Sequence, residues 1–320
     1  MERGCLGIDI GGTSVKLGLF DHKGILLERW NLSTKIGENG TAMIHDIILS
    51  VKEKLCQFGI PSSQLAGMGI GVPGQVSEDG QVILAENIGW KHVPLGKILE
   101  EELNVNVKTE NDVNLAALGE VWKGSARSCK SMLFVALGTG VGCGIVEKGK
   151  ILSGANGAAG EIGHMHVEDH MQKQCVCGKY GCLEQLASGT GLRWLGKRIL
   201  ESSLEPSLLR NEEISAKTIF EAVQKQDSLA IQIAEKFGNY LGKALANCTC
   251  LLDPEMIVIG GGVSKAGPVV LDYIKKYYSQ YAYQPAGAAE FRLASLGSDA
   301  GIYGAAFLAL ESESGTDPII

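Results

Sequence analysis

Residues Gly154 to Glu184, GANGAAGEIGHMHVEDHMQKQCVCGKYGCLE, decide how the rest of the chain is read. The stretch joins a glycine-rich loop to a Glu161-x-x-His164 pair, then to three close cysteines, Cys175, Cys177 and Cys182, and ends on Glu184. Thiolates and imidazole are the donors that a tetrahedral zinc ion takes, and three cysteines with one histidine make a closed, structural shell. Such a shell performs no hydrolysis. It holds the residues threaded between its ligands, here Glu161 and Glu184, one on each side of the set. Gly178 and Gly181 in the CxCGxxGC run suit a tight knuckle whose backbone needs positive φ. The rival reading is three unrelated thiols beside an ordinary surface histidine. His166 and His170 compete with His164 for the fourth position; its place after Gly163, inside the glycine-rich turn, favours His164.

The chain of 320 residues is 45% hydrophobic and 6% aromatic, more than one compact core usually carries, so two lobes are expected. Its 43 glycines cluster beside apolar runs and read as loops that bring backbone close to a ligand. A formal net charge of −7 with no polybasic block argues against a nucleic-acid partner, while leaving room for ATP bound through local amides. Outside the knuckle, Cys5, Cys56, Cys129, Cys143, Cys248 and Cys250 stand in apolar contexts and are expected to be buried free thiols of a reducing compartment. The opening MERGCLGIDI lacks the features of a secretory signal, and every apolar run breaks well short of the roughly 20 residues of a membrane span. A cytoplasmic protein with no membrane partner is the expectation.

One supersecondary unit occurs twice. Cys5–Ile10, a turn at Gly11-Gly12-Thr13, Val15–Phe20 and Ile25–Trp30 read as a three-stranded meander. Met132–Leu137, a turn at Gly138-Thr139-Gly140, Val141–Val146 and Ile151-Leu152 repeat it. The repetition points to two similar α/β lobes: 1–118 with 298–320, and 119–297 with the second turn, the knuckle and the Gly260-Gly261-Gly262 loop. A glycine turn with a small hydroxyl offers several N–H groups to an anion, and two of them can clamp a polyphosphate. Asp9, a carboxylate within a buried strand, is costly unless paired or near a metal, which makes it a candidate for Mg²⁺ held through water. Lys16, on the strand leaving the first turn, joins the nucleotide candidates.

Helical spacing of Ile44, Ile47, Ile48, Val51 and Leu55 precedes a strand at Leu65–Val72. The string Gly69-x-Gly71-x-x-Gly74 matches a dinucleotide fingerprint only on paper, because Pro73 and Gly74 lead to another strand and open no helix. It reads instead as a close-approach loop. After Asn87 and a helix through Leu103, a short strand over Val105–Thr109 runs into Glu110-Asn111-Asp112-Val113-Asn114. Asn and Asp cap helices well, but three such residues in four positions exceed what a cap needs, and the end of a strand is where α/β sheets place ligands. A long helix from about Ser228 to Thr249, a strand at Met256–Ile259, and a helix opened by Gly260-Gly261-Gly262 follow. A last small-residue helix from Ser298 to Leu310 is followed by a tail expected to fray beyond Glu311.

Asp9-Ile10-Gly11-Gly12-Thr13, Leu137-Gly138-Thr139-Gly140, Gly157-x-x-Gly160-Glu161-x-Gly163-His164 and CxCGxxGCLE together resemble the ROK family of repressors, open reading frames and sugar kinases, and within it the bacterial glucokinases. The resemblance implies an actin-like, ribonuclease-H-like fold of two α/β lobes with ATP and sugar in the cleft. It puts sugar contacts at Asn111, Asp112, Glu161, His164 and Glu184, with Gly74 and Asn87 nearby, and makes Asp112 the catalytic base. His164 then serves twice, one nitrogen on zinc and the other on a hydroxyl. Repressors of the family carry a helix-turn-helix ahead of the first turn, for which Asp9 leaves no room. The expected activity is ATP-dependent phosphorylation of a hexose at its 6-hydroxyl, most simply glucose, in a homodimer or homotetramer. Alternatives are another sugar (N-acetylmannosamine, N-acetylglucosamine, fructose or allose), a non-catalytic sugar-responsive regulator, and a polymerising actin-like ATPase.

Overall fold

The structure, a computed structural model, describes residues 4–314. In chain order the elements are β1 (Gly4–Ile10), β2 (Ser14–Phe20), β3 (Leu26–Ser33), α1 (Thr41–Phe58), β4 (Leu65–Val72), β5 (Gln75–Val76), β6 (Val82–Ala85), β7 (Trp90–Val93), α2 (Leu95–Leu103), β8 (Val107–Asn111) and α3 (Asp112–Trp122). They continue with β9 (Met132–Leu137), β10 (Val141–Glu147), β11 (Lys150–Ile151), α4 (Glu184–Ala187), α5 (Gly189–Ser202), α6 (Ala216–Gln224), α7 (Ser228–Leu252), β12 (Met256–Gly260), α8 (Gly261–Ser264), α9 (Val269–Tyr281), β13 (Glu290–Leu293) and α10 (Ala300–Ser314). One sheet has the order β3-β2-β1-β4-β8 and another the order β11-β10-β9-β12-β13. The same 3-2-1-4-5 arrangement thus appears twice, as the duplicated meander suggests, and it is the actin-like, ribonuclease-H-like α/β fold that the family resemblance implies. In the first sheet β2 is antiparallel to both β1 and β3, while β4 is parallel to both β1 and β8.

Contacts group the chain into two compact units, Met1–Lys130 with Gly144–Ala159 and Ser298–Ile320, and Ser131–Cys143 with Gly160–Gly297. Within the first unit α3 packs along α10. Within the first unit, alternation along β1 buries both faces of the sheet. Leu6, Ile8 and Ile10 pack with Ile47 and Val51 of α1, while Cys5 on the opposite face packs with Ile302 and Ala306 of α10. In the second unit α7 buries Phe237, Leu241 and Leu245, and its Gly238 and Gly242 let the backbone of α9 approach closely.

Several local expectations shift. The strand before Asp112 runs to Asn111. The helix at the glycine triplet is only four residues, Gly261–Ser264, and Gly267 and Pro268 separate it from α9. Cys5, Cys129, Cys143 and Cys248 are buried free thiols, but Cys56 and Cys250 are exposed, each on an outward position of an amphipathic helix that the apolar neighbours in sequence disguise. The last helix extends through Ser314, and the remainder of the tail lies outside the described residues. Among the described residues no helix is long and apolar enough to cross a membrane.

Bare backbone contacts hold α10 in place. A Cβ on Gly7 or Gly69 would fall 2.1 Å or 1.9 Å from carbonyl oxygens of α10, and one on Gly304 would fall 1.7 Å from the carbonyl oxygen of Leu115. Replacing a mid-helix glycine by alanine normally gains about 1 kcal/mol. Here overpacking against rigid backbone, about 1–3 kcal/mol or more, outweighs that gain. Gly304→Ala is therefore expected to lower the melting temperature by several degrees in calorimetry; a rise would show that α10 stands further from α3 than described.

Candidate functional site

In the first unit the candidates collect at the C-terminal ends of the parallel strands. Asp9 on β1 is in register with Gly71 on β4, which is in register with Glu110 on β8. A Cβ on Gly71 would lie 3.4 Å from the Asp112 Cα and 3.7 Å from Asp9 Oδ1, so the missing side chain brings these two acidic residues to one spot. Asp9 pairs across the β1–β2 ladder with Lys16, whose Nζ donates to Asp9 Oδ2 at 3.3 Å. Burial pushes the Asp9 carboxyl above the usual carboxylate range, the charge of Lys16 opposing it. Its carboxylate also abuts the first turn of α10, where a Cβ on Gly301 would stand 2.6 Å from Asp9 Cγ. A partly relieved hard oxygen donor of this kind fits Mg²⁺ chemistry.

The first glycine turn, Gly11-Gly12-Thr13, leaves Gly12 and Thr13 exposed. It is braced by Thr34, whose amide donates to the Thr13 carbonyl at 3.2 Å and whose hydroxyl donates to the Gly11 carbonyl at 2.6 Å. Sequence reasoning missed Thr34, since nothing in the local pattern ties it to a turn twenty residues earlier.

At the β8–α3 junction Asn111 is the helix cap: its Oδ1 accepts from the amides of Val113 and Asn114, and its Nδ2 donates to the Gly74 carbonyl at 3.0 Å. Asn111, expected on the sugar, is thus occupied as a helix cap. The residue after it, Asp112, opens α3. Asn87 is exposed in the short turn Glu86–Ile88 that leads to β7.

In the second unit the ligand atoms of His164, Cys175, Cys177 and Cys182 all lie within 4.8 Å of one another. Around a tetrahedral zinc with bonds of about 2.0–2.3 Å, neighbouring ligand atoms stand roughly 3.5–3.8 Å apart. His164 Nδ1 is 3.6 Å from Cys175 Sγ, and Cys177 Sγ is 3.5 Å from Cys182 Sγ. The three-sulfur, one-nitrogen set could hold a zinc ion. His164 is the member of the three histidines that joins the set; His166 is bonded instead to Asp169 and to the Tyr180 carbonyl.

Gly178 and Gly181 have φ of 82° and 72°, as a tight knuckle requires, and the Cys175 amide donates to the Lys179 carbonyl across it. The remaining ring nitrogen of His164, Nε2, faces Glu161 Oε2 at 3.9 Å, and Nδ1 is 3.8 Å from Glu184 Oε1. Glu184 opens α4 and accepts from the Cys175 thiol at 3.0 Å.

The second glycine turn leans on this acid. A Cβ on Gly140 would fall 2.6 Å from Glu184 Oε2, and the Gly138 carbonyl accepts from the Gly189 amide at 2.8 Å. Thr139 is exposed at the tip. Of the glycine triplet, Gly261 has φ of 81° and lies against Leu137, the residue before the turn, while Gly262 has open space where a side chain would stand. The second glycine turn, the triplet, Glu184 and the thiol cluster are therefore connected within one unit.

The sequence pattern of the ROK family matches residues 5–312. The chain is 41% identical over 319 residues to a glucokinase of Halalkalibacterium halodurans, with 98% of this chain and 97% of the relative covered. It is 29% identical to a xylose repressor of Caldicellulosiruptor bescii, covering 87% of this chain and 70% of that longer protein. Its structure is similar to that of a ROK family glucokinase from Streptomyces griseus in complex with glucose and AMPPNP, with a TM-score of 0.76, 32% identity, and 96% and 99% of the two chains covered. This protein belongs to the ROK family.

Proposed function

We propose that this protein transfers the γ-phosphoryl group of ATP to the 6-hydroxyl of a hexose, with glucose the preferred substrate. What carries the reading is the 41% identity to a glucokinase along 98% of the chain. Local geometry adds that the expected base, Asp112, stands at a capped helix start beside Gly71 and Asp9. A regulator is the weaker reading, since the repressor relative is less similar to this chain than the glucokinase is.

In the proposed reaction the Asp112 carboxylate accepts the proton of the 6-hydroxyl as its oxygen bonds to the γ-phosphorus, and the bond to the β-phosphate oxygen breaks to release ADP. Phosphoryl transfer demands chiefly positioning and charge neutralisation. The turns Gly11-Gly12-Thr13 and Gly138-Thr139-Gly140 donate backbone N–H groups to the phosphates, and Gly260-Gly261-Gly262 offers bare backbone to the nucleotide. Lys16 pairs with Asp9, and its charge opposes the burial that raises that carboxyl. Mg²⁺, which Asp9 would hold, supplies neutralisation of polyphosphate charge. Glu161 and Glu184 accept hydrogen bonds from sugar hydroxyls, His164 Nε2 addresses another, and Asn111 has one N–H of its amide left for the sugar after bonding Gly74. Zinc, held by His164, Cys175, Cys177 and Cys182, would supply only rigidity to the segment that carries these groups.

Three measurements test the proposal. Asp112→Asn should lower kcat by about 10²–10⁴-fold in a coupled assay of glucose-dependent ADP release; near wild-type turnover would remove Asp112 as the base. A panel of glucose, fructose, allose, N-acetylglucosamine and N-acetylmannosamine should give the highest kcat/KM with glucose, and a preference for an N-acetylhexosamine would reassign the substrate. Cys182→Ser should lose bound zinc and raise the glucose KM by about 10–100-fold; unchanged sugar affinity in a zinc-free variant would separate the knuckle from substrate binding.

A further inference from the structure

We infer that Glu110 is a positioning residue that ties the loop entering the Glu161 segment to the strand end that presents Asn111 and Asp112, an inference whose kinetic consequence rests on the proposed kinase activity. Both of its carboxylate oxygens are engaged, and on different segments. Oε1 accepts from the Asn111 amide at 2.8 Å and from Asn114 Nδ2 at 2.9 Å, the latter on the first turn of α3. Oε2 accepts from the Ser153 hydroxyl at 3.1 Å. Asn114 is only 5% exposed, so its amide group depends on this partner.

Ser153 begins a short loop, 153–159, that closes on itself through the Ala159 amide donating to the Ser153 carbonyl at 3.0 Å. A second tether holds the far side of that loop, where Gln75 Nε2 donates to the Asn156 carbonyl. Gly157 lies against β5, where a Cβ would fall 2.5 Å from the Val76 carbonyl oxygen. The chain then continues directly into Gly160 and Glu161. One carboxylate thus fixes the cap of α3, and with it the direction of Asp112, and also the root of the loop that delivers the expected sugar-binding acid. Its charge-assisted bonds are stronger than neutral ones, as suits a joint between two segments without shared regular structure.

The chemistry sets a pattern of substitutions. Glutamine keeps an oxygen for Asn111 and Asn114, and its Nε2 can donate to the Ser153 oxygen, so Glu110→Gln should restore most of what Glu110→Ala loses. Ser153→Ala cuts only the loop arm and leaves the cap intact.

The test combines hydrogen exchange with steady-state kinetics on the full chain. In Glu110→Ala, amides of 153–159 should exchange about tenfold faster than in the wild type, with Glu110→Gln close to wild type. The glucose KM should rise about tenfold in Glu110→Ala and more than the KM for ATP. Ser153→Ala should raise the glucose KM by less and add nothing in the Glu110→Ala background, the signature of a shared interaction. Should Glu110→Ala not fold, Ser153→Ala with Glu110→Gln still decides the matter, since loosened loop amides in the first and protected ones in the second are both required. Unchanged exchange of 153–159 in Glu110→Ala or Ser153→Ala, or strictly additive KM effects, overturns the inference. Wild-type protein that phosphorylates none of the sugars while its loop exchange responds to Ser153→Ala would refute the kinase reading and uphold the tether.

Discussion

Three thiols and one imidazole approach within 4.8 Å of each other in a stretch with almost no regular secondary structure, and the shape of that stretch depends on their convergence. Between Gly160 and Leu183 the described residues contain only a short 3₁₀ turn at Ile162–His164 and two isolated bridges, His166 with Cys182 and Gln174 with Tyr180. A loop so poor in backbone ladders carries a large conformational entropy cost, which scattered hydrogen bonds offset only in part. A zinc ion on these four donors would supply the missing constraint, and their position next to Glu184 would extend it to the Gly138–Gly140 turn through the contact of Gly140 with that acid.

The first unit solves a similar problem by other means. Its acidic residues stand at strand ends, where regular structure already fixes the backbone, and glycine allows them to come close. Gly71 admits Asp112 beside Asp9, and Gly301 admits the Asp9 carboxylate against α10. The cost of an acid in that position shows in the raised Asp9 carboxyl, and Lys16 offsets it from the neighbouring strand. Thr34 and Glu110 then brace the turn and the helix start from outside the motifs. In the first unit these groups are thus held by partners that the motifs themselves do not contain.

Much of this was legible in the sequence because the determining signals are local. Alternation and glycine turns disclosed the duplicated meander, and the spacing of Cys175, Cys177 and Cys182 disclosed the cluster, with His164 separated from His166 and His170 by its place in the turn. The false dinucleotide string Gly69-x-Gly71-x-x-Gly74 was legible too, from the proline and strand that follow it. What stayed hidden depends on contacts between distant residues. Thr34 reaches a turn over twenty residues away, Ser153 reaches Glu110 over forty, and Gly301 meets Asp9 across nearly the whole chain. Cys56 and Cys250 misled for the opposite reason: apolar neighbours along the sequence suggested burial, whereas helical periodicity turns both thiols outward.

Order in the loop from Gly160 to Leu183 requires the cysteine–histidine cluster to be a closed zinc site. X-ray absorption at the zinc edge of the purified protein tests it most directly, because it reads the identity and number of the ligand atoms. The expected result is one zinc per chain, bound by three sulfurs and one nitrogen at about 2.3 Å and 2.0–2.1 Å. A shell of oxygen and nitrogen alone, or one with fewer than three sulfurs, would contradict it.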